Sequence, residues 1–306
     1  MELAVITFWQ VVTLFLLIFT GALSVKTGIL PKEAKSILAN LLLYIVLPTM
    51  VVNSYLVEYS EEMSRSIGQA FLYSILAITV GLAVSVLVHR GGAGGVKPLC
   101  RFGGAFANAA YMGFPLIQAL FGAEGLVYAS AYVTVFNVFL FTVGVGLMSA
   151  ENTPRSILKS ILSTPVIFAV VIGLLIYYLR IPVPKVLATT IGYLGSMNTP
   201  VSMMMTGMLI AACDMGGMLK NRQLWKTIAF RLLVIPAVCI ALFMALGLRG
   251  PVAQVVLLLE ACPVAAITSV FAVRYQQADD FAGALVVVST LLSVVTLPLC
   301  ALLLTM

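Results

Sequence analysis

The chain alternates long apolar runs with short polar interruptions, and the runs show no strict polar/apolar alternation of the kind a half-buried strand needs. Most are about twenty residues or longer, the length of a helix that crosses a bilayer and about twice that of a membrane barrel strand. Ten spans follow. The first five are Ala4 to Val25, Ile37 to Val57, Ile67 to Val88, Leu99 to Phe121 and Leu126 to Ser149. The second five are Ile161 to Leu179, Val186 to Cys213, Thr227 to Leu248, Val252 to Tyr275 and Phe281 to Leu304. The most polar linker, Glu151-Asn152-Thr153-Pro154-Arg155, falls near the middle. The expected organisation is a first five-helix unit over 1–149, a cytoplasmic linker over 150–160 and a second unit over 161–306.

Prolines suggest that the two units are repeats. Pro31 and Pro184 are 153 residues apart, Pro48 and Pro200 are 152 apart, and Pro115 and Pro263 are 148 apart. Five spans per unit is odd, so the second unit must enter the membrane from the opposite side, as an inverted repeat. The expected fold is therefore an all-α polytopic membrane protein of ten transmembrane helices. Helices four and nine, broken near Pro115 and Pro263, cross each other. A broken turn exposes backbone polar groups, so in lipid it must face protein or water.

Composition narrows the class. Of 306 residues 62% are hydrophobic and 9% charged, against roughly a quarter charged in an ordinary soluble domain. The net charge of +6 is scattered through short loops, which argues against nucleic acid as a partner. It reports topology instead. Lys26, Lys32, Lys35, Arg90, Lys97, Arg101, Arg155, Lys159, Lys220, Arg222, Lys226 and Arg274 lie on one face, and only Arg65, Arg180, Lys185 and Arg249 on the other. The positive-inside rule puts the first group in the cytoplasm and both termini outside, with the cell (inner) membrane as the expected location. The N-terminal run follows Glu2 rather than a basic region and is too long for a signal-peptide core, so it is expected to remain as the first span. Cys100, Cys213, Cys239, Cys262 and Cys300 read as small buried hydrophobes.

Glu260 is the intramembrane residue that carries most information. It lies nine residues after Pro251, about 13 Å along a helix and near mid-bilayer. A carboxylate at that depth is a functional hypothesis by default. It serves as a coupling-ion ligand or proton carrier, or else it is a hydrogen-bonded structural group. Asn108 sits at similar depth in span four. At a crossing, the freed amides of half-helix N-termini attract an anion, and freed carbonyls with Glu260 suit a cation. Asn53, Gln118, Asn137, Asn198, Thr199 and Ser269 either line a cavity or join helices by hydrogen bonds. Asn137 and Ser269 are taken with Glu260 as candidates for ion coupling. Arg231 is read as snorkelling from the end of span eight. His89 is the single histidine, so a His-based metal site or catalytic triad is excluded within one chain. Without paired intramembrane aspartates, His-Glu-x-x-His or Gly-x-Ser-x-Gly, an enzyme is not expected.

Asn108-x-x-x-x-Gly113-x-Pro115 resembles the first crossover motif of the auxin efflux carrier family of permeases. The run from Pro263 through Val270-Phe271-Ala272-Val273-Arg274-Tyr275 is similar to its second, and Ser289-Thr290 to Pro298 to its last span. That resemblance covers essentially the whole chain. It implies a scaffold domain, a crossover domain and elevator-like alternating access, on a fold shared with bile-acid/sodium symporters and sodium/proton antiporters. Carried over by residue, it gives Asn108 a substrate-binding role and Pro115 and Pro263 a crossover role, with Tyr111, Gly113 and Cys262 beside them as candidate substrate contacts. Two departures matter. The central loop is short, unlike that of many plant auxin exporters, so auxin is not the expected substrate. Glu260 is not part of the plant motif, although a carboxylate in this region of bile-acid symporters serves sodium. The expected function is secondary transport of a small organic anion, a malonate- or malate-like mono- or dicarboxylate. No cofactor is expected beyond a coupling sodium, held at Glu260, or a proton. The alternatives are a cation/proton antiporter on the same fold and a non-transporting membrane receptor. Expected partners are the anion, membrane lipid and a second copy in a homodimer.

Overall fold

Helices follow the apolar runs, and proline and glycine decide where each one bends. The computed structural model describes residues 2–31, 33–91, 94–148, 165–212 and 217–304. Helix α1 is Glu2–Lys26, and α2 (Ala34–Leu41) continues through a π turn, Leu42–Val46, into α3 (Leu47–Ser54). Next come α4 (Glu61–Val88), α5 (Lys97–Ala105), α6 (Phe114–Phe139) and α7 (Val145–Met148). The later part holds α8 (Pro165–Tyr178), α9 (Lys185–Ser196), α10 (Asn198–Ala212), α11 (Arg222–Ala229) and α12 (Ile235–Ala245). It closes with α13 (Pro251–Glu260), α14 (Ile267–Arg274) and α15 (Asp279–Leu303). The linker expected over 150–160 lies outside the described residues, as do Lys32, Cys213 and Asp214.

Among the described residues, six helical stretches are long and apolar enough to cross a membrane: Phe8–Lys26, Ala34–Ser54, Glu61–Val88, Ala109–Met148, Arg222–Ala245 and Asp279–Leu303. Two shorter apolar helices, α8 and α13, join them. The described fold is all-helical, as the hydropathy pattern predicts, and has the character of a multi-pass membrane protein.

Three π turns stand two residues upstream of a proline: Leu42–Val46 before Pro48, Ala109–Gly113 before Pro115, and Phe230–Val234 before Pro236. A proline ring clashes with the carbonyl four residues back and donates no hydrogen bond, and widening the preceding turn relieves both problems. Gly122 does something different. Its φ of 62° and ψ of −149° break α6 into two rods, in a region that glycine alone occupies easily. The first rod ends near Phe121, where the hydropathy pattern ends span four.

Two sets of helix contacts frame the site, joined by α1 against α15 and by α3 and α8 against α6. Helix α1 packs along α10, and α3 packs on α8 and α9. The α1–α10 contact is backbone to backbone. A Cβ on Gly207 would lie 1.9 Å from the Ile18 carbonyl oxygen, and one on Gly21 would lie 2.1 Å from that of Met204. Small residues let membrane helices approach this closely. In the other group α4 packs on α5 and α6, and α13 lies against α4 and α6. Every residue from Val255 to Glu260 is buried, as expected of a helix that is apolar all round and enclosed by protein.

Candidate functional site

Two helices stop inside the second group and resume after a short non-helical segment, which strands backbone donors and acceptors away from water. The first interruption, Phe106 to Asn108, separates α5 from the π turn that leads into α6; the second, Ala261 to Ala266, separates α13 from α14. Each repairs the other. The Asn108 N–H donates to the Pro263 carbonyl at 2.8 Å, the Ala265 N–H donates to the Phe106 carbonyl at 2.9 Å, and Ala107 and Val264 form an antiparallel bridge. The Val264 N–H donates to Ser289 Oγ at 3.1 Å.

The remaining stranded groups are carbonyls at the C-terminal ends of α5 and α13, and one side chain collects them. Arg231, on the π turn Phe230–Val234, is fully buried. Its Nε donates to the Cys262 carbonyl at 3.1 Å, and its Nη1 to the carbonyls of Gly104 at 3.1 Å and Ala105 at 3.3 Å. Its Nη2 donates to the Glu260 carbonyl. Nη1 also pairs with Glu260 Oε1 at 3.0 Å, while Tyr132 Oη donates to Glu260 Oε2 at 2.5 Å. Arg231 therefore does not snorkel. The reason is the helix start. Helix α11 begins at Arg222, five residues before the expected Thr227, which puts Arg231 about 14 Å along the rod rather than near its end.

Opposite polarity gathers on the other side of the paired interruptions. The helical segments that begin at Ala109 and Ile267 present their N-terminal ends there; in the second, the Thr268 and Ser269 N–H groups donate to the Ala265 and Ala266 carbonyls at 2.9 and 3.2 Å. A small pocket of about 50 Å³ lies against both starts, lined by Ala107, Asn108, Ala110, Tyr111, Asn137 and Ala265 to Ile267, with Leu43, Leu47 and Val166 facing them from the first group. It adjoins a cavity of about 260 Å³ that shares Leu43, Tyr111, Ala266 and Ile267 and adds Lys35, Asn40 and Ser269. Asn108 is 3% exposed and its Nδ2 has no hydrogen-bond partner. Ser269 Oγ is also without one. Buried unpaired donors are costly, and here they line a cavity that a ligand acceptor could fill.

The cavities bring together Asn108, Tyr111, Asn137 and Ser269 of the sequence-predicted residues. Asn137 donates from Nδ2 to the Val133 carbonyl at 2.7 Å. Pro263 lends its carbonyl to the bridge, and Cys262 lends its carbonyl to Arg231. Gly113 and Pro115 are buried in the turn itself, where a Cβ on Gly113 would lie 2.4 Å from Leu259 Cδ2. Glu260 lines neither cavity, and both its oxygens are engaged. Sequence reasoning missed Tyr132 and the lining residues Lys35 and Asn40. In the sequence Lys35 is marked only as a topology charge, and its place at the cavity depends on how α2 packs against α10.

Away from the paired interruptions, His89 follows α4 and is buried, with Nδ1 2.9 Å from the Ser85 carbonyl oxygen and Nε2 3.2 Å from Thr227 Oγ1. Burial holds its pKa below the ordinary histidine value; the Ser85 carbonyl opposes that shift, and Lys226 and Arg101 add to it.

A sequence model of the membrane transport protein family, which includes the auxin efflux carriers, matches residues 6–301. The chain belongs to that family. Among its relatives in the membrane transport family, an uncharacterized transporter of Methanothermobacter thermautotrophicus is 24% identical over 295 residues, covering 94% of this chain and 95% of the relative. An uncharacterized transporter of Methanocaldococcus jannaschii is 24% identical over 306 aligned positions, covering 94% and 96%. The "Putative malonate transporter" of Rhizobium meliloti is 25% identical over 304 aligned positions, covering 94% and 92%. The chain is thus a membrane transport protein.

Proposed function

We propose that this chain is a secondary active transporter of a small organic anion, of the malonate-like mono- or dicarboxylate class, built on ten spans as two inverted five-helix repeats. One observation carries the reading: at the crossing, the two helix C-termini are neutralised by Arg231, while the two helix N-termini and the unpaired Asn108 Nδ2 adjoin the cavity. The cavity therefore sees the positive ends of two helix dipoles and a free donor, a setting that favours carboxylate oxygens. Lys35 adds a positive charge to the wider chamber. The malonate relative supports the substrate class.

The cavity lies between the α1–α3/α8–α10 group and the group that holds the crossing, which supports an elevator movement of one against the other. Ser202 Oγ donates to the Tyr111 carbonyl at 3.1 Å and Asn198 Nδ2 to that of Ala110 at 3.3 Å. These bonds join the two groups and would have to break as they slide. In this reading both termini face outward, and the Lys35 side of the cavity opens to the cytoplasm. An antiporter of cations would want an unpaired carboxylate at the cavity, and neither the Asn108 pocket nor the chamber beside it is lined by one.

The test is a thermal-shift screen of detergent-purified protein against malonate, succinate and acetate, with the corresponding neutral amides as controls. A ligand that binds the native state raises the melting temperature by mass action. Stabilisation by a carboxylate and not by its amide is expected; equal response to both, or to neither, contradicts the proposal.

A further inference from the structure

We propose that Arg231 is a resident cation: its guanidinium fills a cation site that the crossing itself creates, so the anion is carried without a free sodium or other small cation at Glu260. The inference rests on the anion reading only for that last consequence.

The ligand set is the argument. Two helices end at the crossing and each leaves partial negative charge on its last carbonyls. The oxygens of Gly104, Ala105, Glu260 and Cys262, together with Glu260 Oε1, surround the Arg231 head. Four backbone carbonyls and one carboxylate form the all-oxygen set that hard cations choose. A planar fork with five N–H donors meets several of these oxygens at once, and it keeps its charge at every physiological pH. Tyr132 takes the second carboxylate oxygen. On the far side α4 closes the space, since a Cβ on Gly81 would lie 2.6 Å from Glu260 Oε1. Both carboxylate oxygens of Glu260 are thus already engaged, and the cation that engages them is tethered to the chain. The positive charge therefore travels with the crossing instead of being exchanged with solution.

The experiment uses the purified full-length chain with no carboxylate present, so its outcome is independent of whether any anion binds. Melting temperature is read in sodium, lithium or guanidinium chloride at millimolar concentration, against choline chloride at matched ionic strength. Wild type is expected to melt at the same temperature in all four. Arg231→Ala is expected to melt lower in choline and to regain about half or more of the loss, saturably, with guanidinium or a small alkali cation. Arg231→Ala/Glu260→Gln should not regain it, because the carboxylate ligand is gone. A saturable sodium stabilisation of wild type that Glu260→Gln abolishes would overturn the proposal, as would a folded Arg231→Ala that no cation stabilises. Should Arg231→Ala not fold, Arg231→Lys decides: a resident charge requires this variant to fold and to ignore sodium, and failure in either respect overturns the proposal.

Discussion

Replacing Glu260 should rescue the damage done by replacing Arg231. Arg231→Met removes the donor to four buried carbonyls and leaves a buried carboxylate without its countercharge. Breaking one partner of a buried pair costs about 3–5 kcal/mol, and the unpaired carbonyls add on the order of 1 kcal/mol each. Adding Glu260→Met takes away the orphaned charge and keeps the carbonyl loss. The double variant should therefore be more stable than Arg231→Met alone by the cost of the orphaned charge less about 1–3 kcal/mol for the Tyr132 hydroxyl that Glu260→Met leaves without its acceptor, a net gain of about 2 kcal/mol. Equilibrium unfolding of the four proteins of the cycle in detergent measures this, with melting temperatures as a second readout. A double variant no more stable than Arg231→Met would show that the pair does not act as a unit, and the account of the crossing would be wrong.

Gly207→Leu should destabilise the α1–α10 contact by several kcal/mol, because even its Cβ would stand 1.9 Å from the Ile18 backbone; overpacking typically costs about 1–3 kcal/mol even where side chains can yield, and here the obstacle is backbone. Lys35→Glu should raise the carboxylate concentration needed for half-maximal transport several-fold at low salt, with a smaller effect at high salt, since the charge lines the chamber. His89 has a lowered pKa, so the unfolded chain binds a proton first as pH falls. The stability it contributes is complete above about pH 6.5 and is lost below it. The melting temperature should fall between about pH 7 and pH 5, and His89→Gln should flatten that part of the profile.

Hydropathy made the all-helical class and six long apolar helical stretches legible because those runs are long enough to be read without tertiary information, whereas the expected spans 186–213 and 252–275 are each two shorter helices. Pro263 lies inside the second interruption, whereas Pro115 stands seven residues beyond the first, where its missing donor and ring clash are met by the π turn instead. Asn108 was legible as a polar group at depth. What the sequence hid were the contacts between distant segments. Tyr132 meets Glu260 across 128 positions, and a tyrosine in an apolar run carries no signal of such a partner. Arg231 was misread by a boundary. Starting its helix at Thr227 rather than Arg222 turned a mid-helix charge into one near an end. Glu260 was singled out as a carboxylate in an apolar run, yet its chemistry depends on Arg231, so the reading of one could not be better than the reading of the other. The π turns before Pro48, Pro115 and Pro236 had a local signal in the prolines, which points to a kink without saying that a widened turn absorbs it.

The central claim is that the cavity at Asn108 receives a carboxylate. Its most direct test is uptake of radiolabelled malonate into proteoliposomes by wild type and by Asn108→Leu, with both proteins verified as folded by their melting temperatures. The orphaned Nδ2 is expected to donate to the substrate, and losing a hydrogen bond to a charged group costs about 1.5–3 kcal/mol, on the order of a tenfold to hundredfold loss of uptake at low malonate. Saturable malonate uptake by wild type, lost in folded Asn108→Leu, is the predicted result. Unchanged uptake by Asn108→Leu, or wild-type vesicles that carry no small carboxylate at all, would contradict it.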